Sequence, residues 1–339
     1  MRLRLASLAI VGLAGLFPAA PTRAADLAKY VPEDAGLYVH VNVKQLLTAP
    51  VVRTAVPLAF QKYGDNILPL VQLAKAFNPD AAKISDDDVK KGIAELKKPE
   101  TIAKAFDAVK EVVTDVVLAG DPDDEEAFLV LVKVPAEVNA QAVDAITRLI
   151  ALNPQVKQQL KLKRHKKGEQ IIYELEVPQQ DQTFFAAVPE PGVLCFGGTK
   201  EMVETAVDRA GKEGGLNDKL KPLVAKRTPK DFLFVAVAGG ADEDGIKAGH
   251  GSLVLDKDIA GRLSVTYTSP AKAREAAKEM NETLSSFADT LKDFLGDQAK
   301  QVQPILDKMK ATADGATVTG QFTVPGAVIE KLLAKEKDE

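Results

Sequence analysis

The run VVLAGDPDDEEAFLVLVKVPAEVNAQAVDA, Val116 to Ala145, is the stretch that sets the fold class. Asp115 to Ala119 and Ala127 to Val134 are apolar segments of strand length, and they bracket the acidic loop Asp121-Pro-Asp-Asp-Glu-Glu126. Pro135-Ala136 then opens a stretch whose apolar residues Val138, Ala142, Ala145, Ile146 and Leu149 fall at helical spacing. Strand, polar tip, strand and helix together predict an α+β fold, mostly antiparallel sheet packed by helices. The same order of residue types recurs from Gly251 to Met280. Asp121 corresponds to Asp256, Asp123 to Asp258, Pro135 to Pro270, Ala136 to Ala271 and Ala142 to Ala277, each pair 135 positions apart (256 − 121 = 135). The pattern predicts one structural unit used twice around a shared core, giving two pseudo-repeated halves over residues 25–230 and 231–339.

Toward the amino terminus, Met1-Arg2-Leu3-Arg4 is a short basic start. A largely apolar run from Leu5 to Phe17 follows, then small residues with Thr22 and Ala24 where a signal peptidase cuts. This predicts a secretory signal peptide over residues 1–24. The run has 13 residues, short of the roughly 20 that cross a bilayer as a helix. The expected location is extracytoplasmic, periplasmic or secreted, with no stable membrane span after cleavage. Losing Arg2, Arg4 and Arg23 takes the formal charge from −4 to −7. That balance excludes nucleic acid and disfavours an anionic membrane surface as a partner.

The composition, 46% hydrophobic, is that of a globular chain rather than a disordered one. Cys195 is the one cysteine, so no internal disulfide is available. It lies in the apolar run Gly192-Val-Leu-Cys-Phe-Gly with no basic residue beside it, which predicts a buried structural thiol. In Leu37-Tyr-Val-His-Val-Asn-Val43 the apolar residues alternate, placing Tyr38, His40 and Asn42 on an expected solvated face of a strand. A helical insertion is expected over residues 48–112, with Thr48 and Pro50 at its start, a second helix over 67–77 and a third over 99–113.

Three further stretches could carry chemistry. The basic cluster Lys161-Leu-Lys-Arg-His-Lys-Lys167 reads as one arm of a hairpin turning at Lys167-Gly168. That register sets Lys161 against Glu174 and Leu162 against Tyr173, a sheet ladder rather than a polyanion site. Gly197-Gly198-Thr199-Lys200 joins a strand to a helix. It resembles an anion-binding turn but has neither Walker nor dinucleotide spacing, which favours Thr199 as a helix cap. Gly239 to Gly251 reads as a glycine-rich acidic loop. The carboxylates of the 121–126 loop lack the glycine and terminal glutamate of a calcium loop. No catalytic residue, cofactor or metal ligand set is expected.

The motifs Val31-Pro-Glu-Asp-Ala and Gln45-Leu-Leu, the run Gly192-Val-Leu-Cys-Phe-Gly-Gly-Thr-Lys-Glu-Met-Val-Glu204 and the strand-Pro-helix steps resemble a broad class of exported bacterial proteins of unknown function. The resemblance implies a signal peptide and a proline-aspartate-alanine turn into a first strand, and it carries over no catalytic residue. The expected function is that of an exported non-enzymatic protein with a binding or structural role in the cell envelope, its partner an unidentified envelope or extracellular one. The alternative is an extracytoplasmic hydrolase using carboxylates brought together by the fold. Asp121 and Asp256 are its candidates, provided the two loops meet.

Overall fold

Among the described residues, twelve strands, every neighbouring pair antiparallel, form a single sheet in the computed structural model of the chain, which is α+β. The strands are β1 (Leu37–Asn42), β2 (Asp115–Gly120), β3 (Phe128–Lys133), β4 (Lys161–Lys167), β5 (Gln170–Val177), β6 (Gln182–Glu190), β7 (Val193–Gly197), β8 (Asp231–Ala238), β9 (Ile246–Leu255), β10 (Ile259–Tyr267), β11 (Lys310–Asp314) and β12 (Thr317–Val324). Their spatial order is β11-β12-β10-β9-β8-β1-β2-β3-β7-β6-β5-β4. The helices are α1 (Val43–Thr48), α2 (Pro50–Tyr63), α3 (Pro99–Val112), α4 (Lys200–Asp208), α5 (Lys221–Val224), α6 (Pro270–Leu295), α7 (Ala299–Leu306) and α8 (Gly326–Ala334). The structure describes residues 26–63, 98–124, 126–144, 161–178, 182–212, 214–239, 245–295 and 299–334, with isolated positions between 85 and 95. The expected leader over 1–24, the helix over 67–77, positions 145, 146 and 149 of the apolar stripe and the charged tail over 335–339 lie outside them.

β1 joins the two wings of the sheet. Its register runs from Leu37↔Gly120 to Asn42↔Asp115 on one side and from Leu37↔Val237 to Val41↔Leu233 on the other. One face of the β1–β7 wing is covered by α4, α5 and the segment around a 3₁₀ turn at Leu27–Tyr30, burying Tyr30, Val31, Leu129, Leu131, Val193 and Val203 together. The opposite face buries Val132, Val134, Val138, Tyr173 and Leu194. On the β8–β12 wing α6 packs one face, its Ala273 and Ala277 meeting Tyr267, Ala311 and Val318, while on the other face Phe234 and Ala236 of β8 join the first core beside α5. α2 and α8 close one end of the sheet, where Val51 packs with Leu255 and Ile329.

Several local expectations change. Tyr38 and His40 lie on a buried face, 1% and 5% exposed, while Leu37, Val39 and Val41 are half-buried. The alternation is as read, but its polarity is inverted, because the central strand is covered by the 27–36 segment and His40 gains a carboxylate partner. Pro135-Ala136 forms a turn closed by Val138 N–H to Pro135 O, and the helix begins at Ala140 with Asn139 Oδ1 accepting from Ala142 N–H at 3.0 Å. An Asx cap one turn later outcompetes the proline start. α1 precedes the expected first helix, capped by Asn42 Oδ1 on Gln45 N–H, so Thr48 ends one helix instead of capping the next.

The β4–β5 hairpin forms two residues away from the expected register: Lys163 faces Glu174, Leu162 faces Leu175 and Lys161 faces Glu176. A shift of two preserves both faces of a strand, so basic residues still meet acidic ones. The turn is Gly168-Glu169, with Gly168 at φ +60°. Residues 246–251, expected in a loop, are strand: β9 starts at Ile246, and its pairing on both sides outweighs the low strand propensity of Gly249 and Gly251. β11 pairs with β12 through a turn at Gly315, φ +55°.

Candidate functional site

The residue types that could do chemistry are spent on one another. In the basic cluster, Lys163 Nζ reaches Glu174 at 2.8 Å and also bonds Glu176, His165 Nε2 is 2.6 Å from Glu174, Lys167 is 2.7 Å from Asp208, and Arg164 pairs with Asp144. Lys163, then His165, hold the Glu174 carboxyl down to about 2. Cys195 is buried in the first core, and burial pushes its thiol up to about 12, the reverse of an activated nucleophile. Thr199 Oγ1 accepts from Met202 N–H at 3.4 Å, capping α4 as its position predicts. Gly198 sends its N–H to Phe128 O at 3.1 Å and lies against the Glu126 carbonyl. The two glycines therefore admit the neighbouring strand rather than a ligand.

Asp121 and Asp256 do not meet. Gly120 is level with Leu37, Val237 and Gly249, whereas Asp256 follows Leu255, six residues further along β9. At about 3.3 Å per residue the two loops are about 20 Å apart along the strands, at opposite ends of the sheet, beyond the roughly 5–9.5 Å that two-carboxylate hydrolysis uses. Asp121 Oδ1 accepts from Asp123 N–H within its own turn, and Asp256 O accepts from Val51 N–H of α2. Among the described residues no group of three or more His, Cys, Asp or Glu side chains gathers as a metal site would.

His40, which the sequence placed outward, instead faces Asp115, with Nε2 and Oδ1 3.0 Å apart. Burial works to raise the Asp115 carboxyl, but the hydrogen bond with His40 and the nearby positive charge of Lys133 outweigh it, leaving the group below its ordinary value. Because the folded value is depressed, the stability is present above the ordinary aspartate range and lost as pH falls through the lowered value. Asp115→Asn is therefore expected to be less stable than the wild type at neutral pH, with the gap closing below about pH 4. Thermal unfolding of both proteins across that range checks this; a gap that persists unchanged into acid would assign the loss to another cause.

The β8–β12 wing holds a cavity of 570 Å³ between α6 and the sheet. The cavity exists because the floor is short of side chains. Leu263 of β10 is opposite Gly251 on β9 and Gly320 on β12, Val265 is opposite Gly249, and Phe322 is opposite Gly261. Each large apolar residue thus leans over a position with no Cβ, Phe322 over Gly261 most closely, and the layer is left open at Gly320, where the nearest atom to a Cβ would be Lys310 O at 3.9 Å. Met280 and Leu284 of α6 form the roof, and Met309 and Phe322 line it as well. None of these large apolar side chains is fully buried, and Leu263 is 37% exposed. Asn281 anchors the helix: its Oδ1 accepts from Ala311 N–H and its Nδ2 donates to Ala311 O, both at 2.9 Å, which also covers edge strand β11.

Among the described residues no carboxylate lines this cavity. His250 and Arg262 border it at strand positions whose side chains alternate to the opposite face, where His250 approaches Phe234 and Arg262 meets Asp231. A bulge at Phe232 in β8 turns Asp231 to that face. An apolar chamber with polar groups only at its borders can hold an apolar molecule and has no means of activating water. The signal for it was the alternate glycines 249, 251, 261 and 320, legible only once their strands are paired.

No protein family matches the sequence, and no curated protein matches it. Among solved structures, crystal form III of TP0453 is similar to this chain with a TM-score of 0.40 at 9% identity, covering 92% of this chain and 98% of that one. Among the described residues, no helix is long and apolar enough to cross a membrane.

Proposed function

We propose that the protein acts outside the cytoplasm as a non-enzymatic binding protein of the cell envelope, with the cavity under α6 as its ligand site. The amino-terminal 24 residues, read as a secretory leader, support the location. The observation that carries the binding role is a 570 Å³ apolar chamber in a protein whose candidate catalytic groups are paired or buried. That volume falls in the range of about 300–1,000 Å³ typical of small-molecule sites.

The test uses the intact chain and 8-anilinonaphthalene-1-sulfonate, a fluorescent apolar probe. Saturable binding at one site is expected, together with its loss in Gly320→Leu. The nearest atom to a Cβ at Gly320 is Lys310 O at 3.9 Å, so the leucine enters the cavity without a backbone clash. The unfolding temperature of the variant is expected to equal or exceed that of the wild type, since glycine weakens a strand interior. Identical probe binding by the wild type and the filled variant would sink the proposal.

A further inference from the structure

We infer that the face of the β8–β12 wing turned away from α6 binds an acidic polysaccharide, along a track of cations that crosses the strands from Lys230 to Lys310. The site is separate from the cavity under α6 and does not depend on it. Ser252, Arg262, Gln321 and Lys310 stand in one cross-strand row on β9, β10, β12 and β11. Side chains alternate along a strand, so this row points away from the face of Leu263 and Ala311, the neighbours that line the α6 cavity. A depression of 1240 Å³ has Ser252, Arg262 and Gln321 on its floor, with Lys230 at one side and Lys308 at the other. From Lys230, beside β8, to Lys310 in β11 the track crosses four strand spacings, about 19 Å.

Arg262 is fixed at the centre of the track. Its Nε donates to Ser252 Oγ at 2.7 Å and its Nη2 to both oxygens of Asp231, whose side chain is wholly buried. Among the described residues Nη1 has no acceptor, which leaves its hydrogens for a ligand on a side chain that is half-exposed. Lys226 O also accepts from Nη2, at 3.5 Å, bringing the 226–230 segment beside it. After burial, the charges of Lys226 and Arg262 hold the His250 imidazole below its ordinary value, so their positive potential spreads over this face. Among the described residues, exposed Lys226, Lys230, Lys308 and Lys310 have no carboxylate within ion-pair distance, whereas Lys29, Lys163 and Lys167 on the other wing each have one. The nearby acids are engaged or turned away. Asp231 is spent on Arg262, Asp258 accepts from Gly326 N–H at 3.1 Å, and Asp307 borders a different depression beside α6. Cations spread over such a length suit a chain that carries a charge on each repeat better than one small anion. Ser252, Gln321 and Thr323 offer hydroxyl and amide groups to the hydroxyls of a sugar. A nucleic acid would want aromatic faces for its bases, and the one aromatic at this depression, Phe322, alternates to the α6 side.

The experiment follows the fluorescence anisotropy of a labelled oligogalacturonate, a regularly charged acidic sugar chain, as the intact protein is added. Saturable binding that weakens as salt rises is expected. Combining Lys308→Glu with Lys310→Glu should weaken it by at least about tenfold and Lys230→Glu by roughly threefold. All three positions are exposed, so the unfolding temperature should stay where it is. Lys104→Glu, the same charge change on α3, should leave the affinity unchanged, and neither neutral dextran nor inorganic phosphate should compete. No binding, or full binding by the protein carrying Lys308→Glu and Lys310→Glu, overturns the site. An equal loss with Lys104→Glu overturns it too, since net charge alone would then be acting. Competition by phosphate at the same concentration overturns the extended ligand in favour of a single anion. Tighter competition by polyglutamate than by unlabelled oligogalacturonate overturns the polysaccharide and points to an acidic protein partner. None of these variants fills the cavity under α6, so binding of the apolar probe there stands or falls separately.

Discussion

Arg262→Met is expected to destabilise the protein by about 2–3 kcal/mol, among the largest single effects in the β8–β12 wing. The Asp231 side chain is wholly buried, and both its oxygens accept from Arg262 Nη2, at 3.2 and 3.3 Å, beside one backbone N–H from Thr228 at 2.6 Å. Arg262 in turn sends Nε to Ser252 Oγ at 2.7 Å. Methionine keeps the apolar stem and removes every donor, so a buried charge is left with a single hydrogen bond. Removing one partner of a fully buried pair costs about 3–5 kcal/mol. The arginine side chain is 49% exposed, so water can replace part of what is lost, and the lower figure follows. Pairing it with Asp231→Leu should recover most of the loss, because the uncompensated charge goes too. Urea unfolding of the two single variants and the double variant measures the coupling; a single-variant loss under about 0.5 kcal/mol would show that the pair contributes nothing.

Gly198→Ala separates two roles for the same glycine. As part of an anion-binding turn, it would lose phosphate binding with little change in stability. In the structure a Cβ at this position would sit 2.8 Å from Phe128 Cε1 and closer still to the Glu126 carbonyl oxygen. That oxygen belongs to the backbone, so relief requires the acidic hairpin tip to move away from β7. The Gly198 N–H to Phe128 O bond is strained at the same time. A loss of about 2–3 kcal/mol is expected, as for overpacking in a tight core. Phosphate should raise the unfolding temperature of neither protein. A fully stable variant, or a wild type stabilised by phosphate and a variant that is not, would restore the anion-binding role.

Much of the fold was legible because strand and helix periods are local properties of the chain. The Val116–Ala145 stretch reads as strand, tip, strand and helix from its own residues, and the structure places β2, the acidic turn and β3 there. The α4 cap at Thr199, the α6 start at Pro270 and the buried character of Cys195 were legible for the same reason. Charge complementarity in the Lys161–Lys167 hairpin was also readable, though not its register. A shift of two residues keeps each side chain on its face, so patterning alone cannot separate the two registers.

What the sequence by itself determined is the class of the fold: which segments are extended, which are helical, and that the candidate catalytic residues lack local partners. Only the tertiary structure decided which face of a strand is inside, since Tyr38 is buried by a segment that reaches β1 from outside the strand and His40, buried on the same face, meets Asp115. It also decided that Asp121 and Asp256 stand at opposite ends of the sheet, because strand direction is set by pairing order, which no local pattern encodes. The cavity belongs to the same category. Glycines 249, 251 and 320 are 69 residues apart from first to second strand segment (320 − 251 = 69), and they become one floor only when β10 lies between β9 and β12 and α6 closes over them.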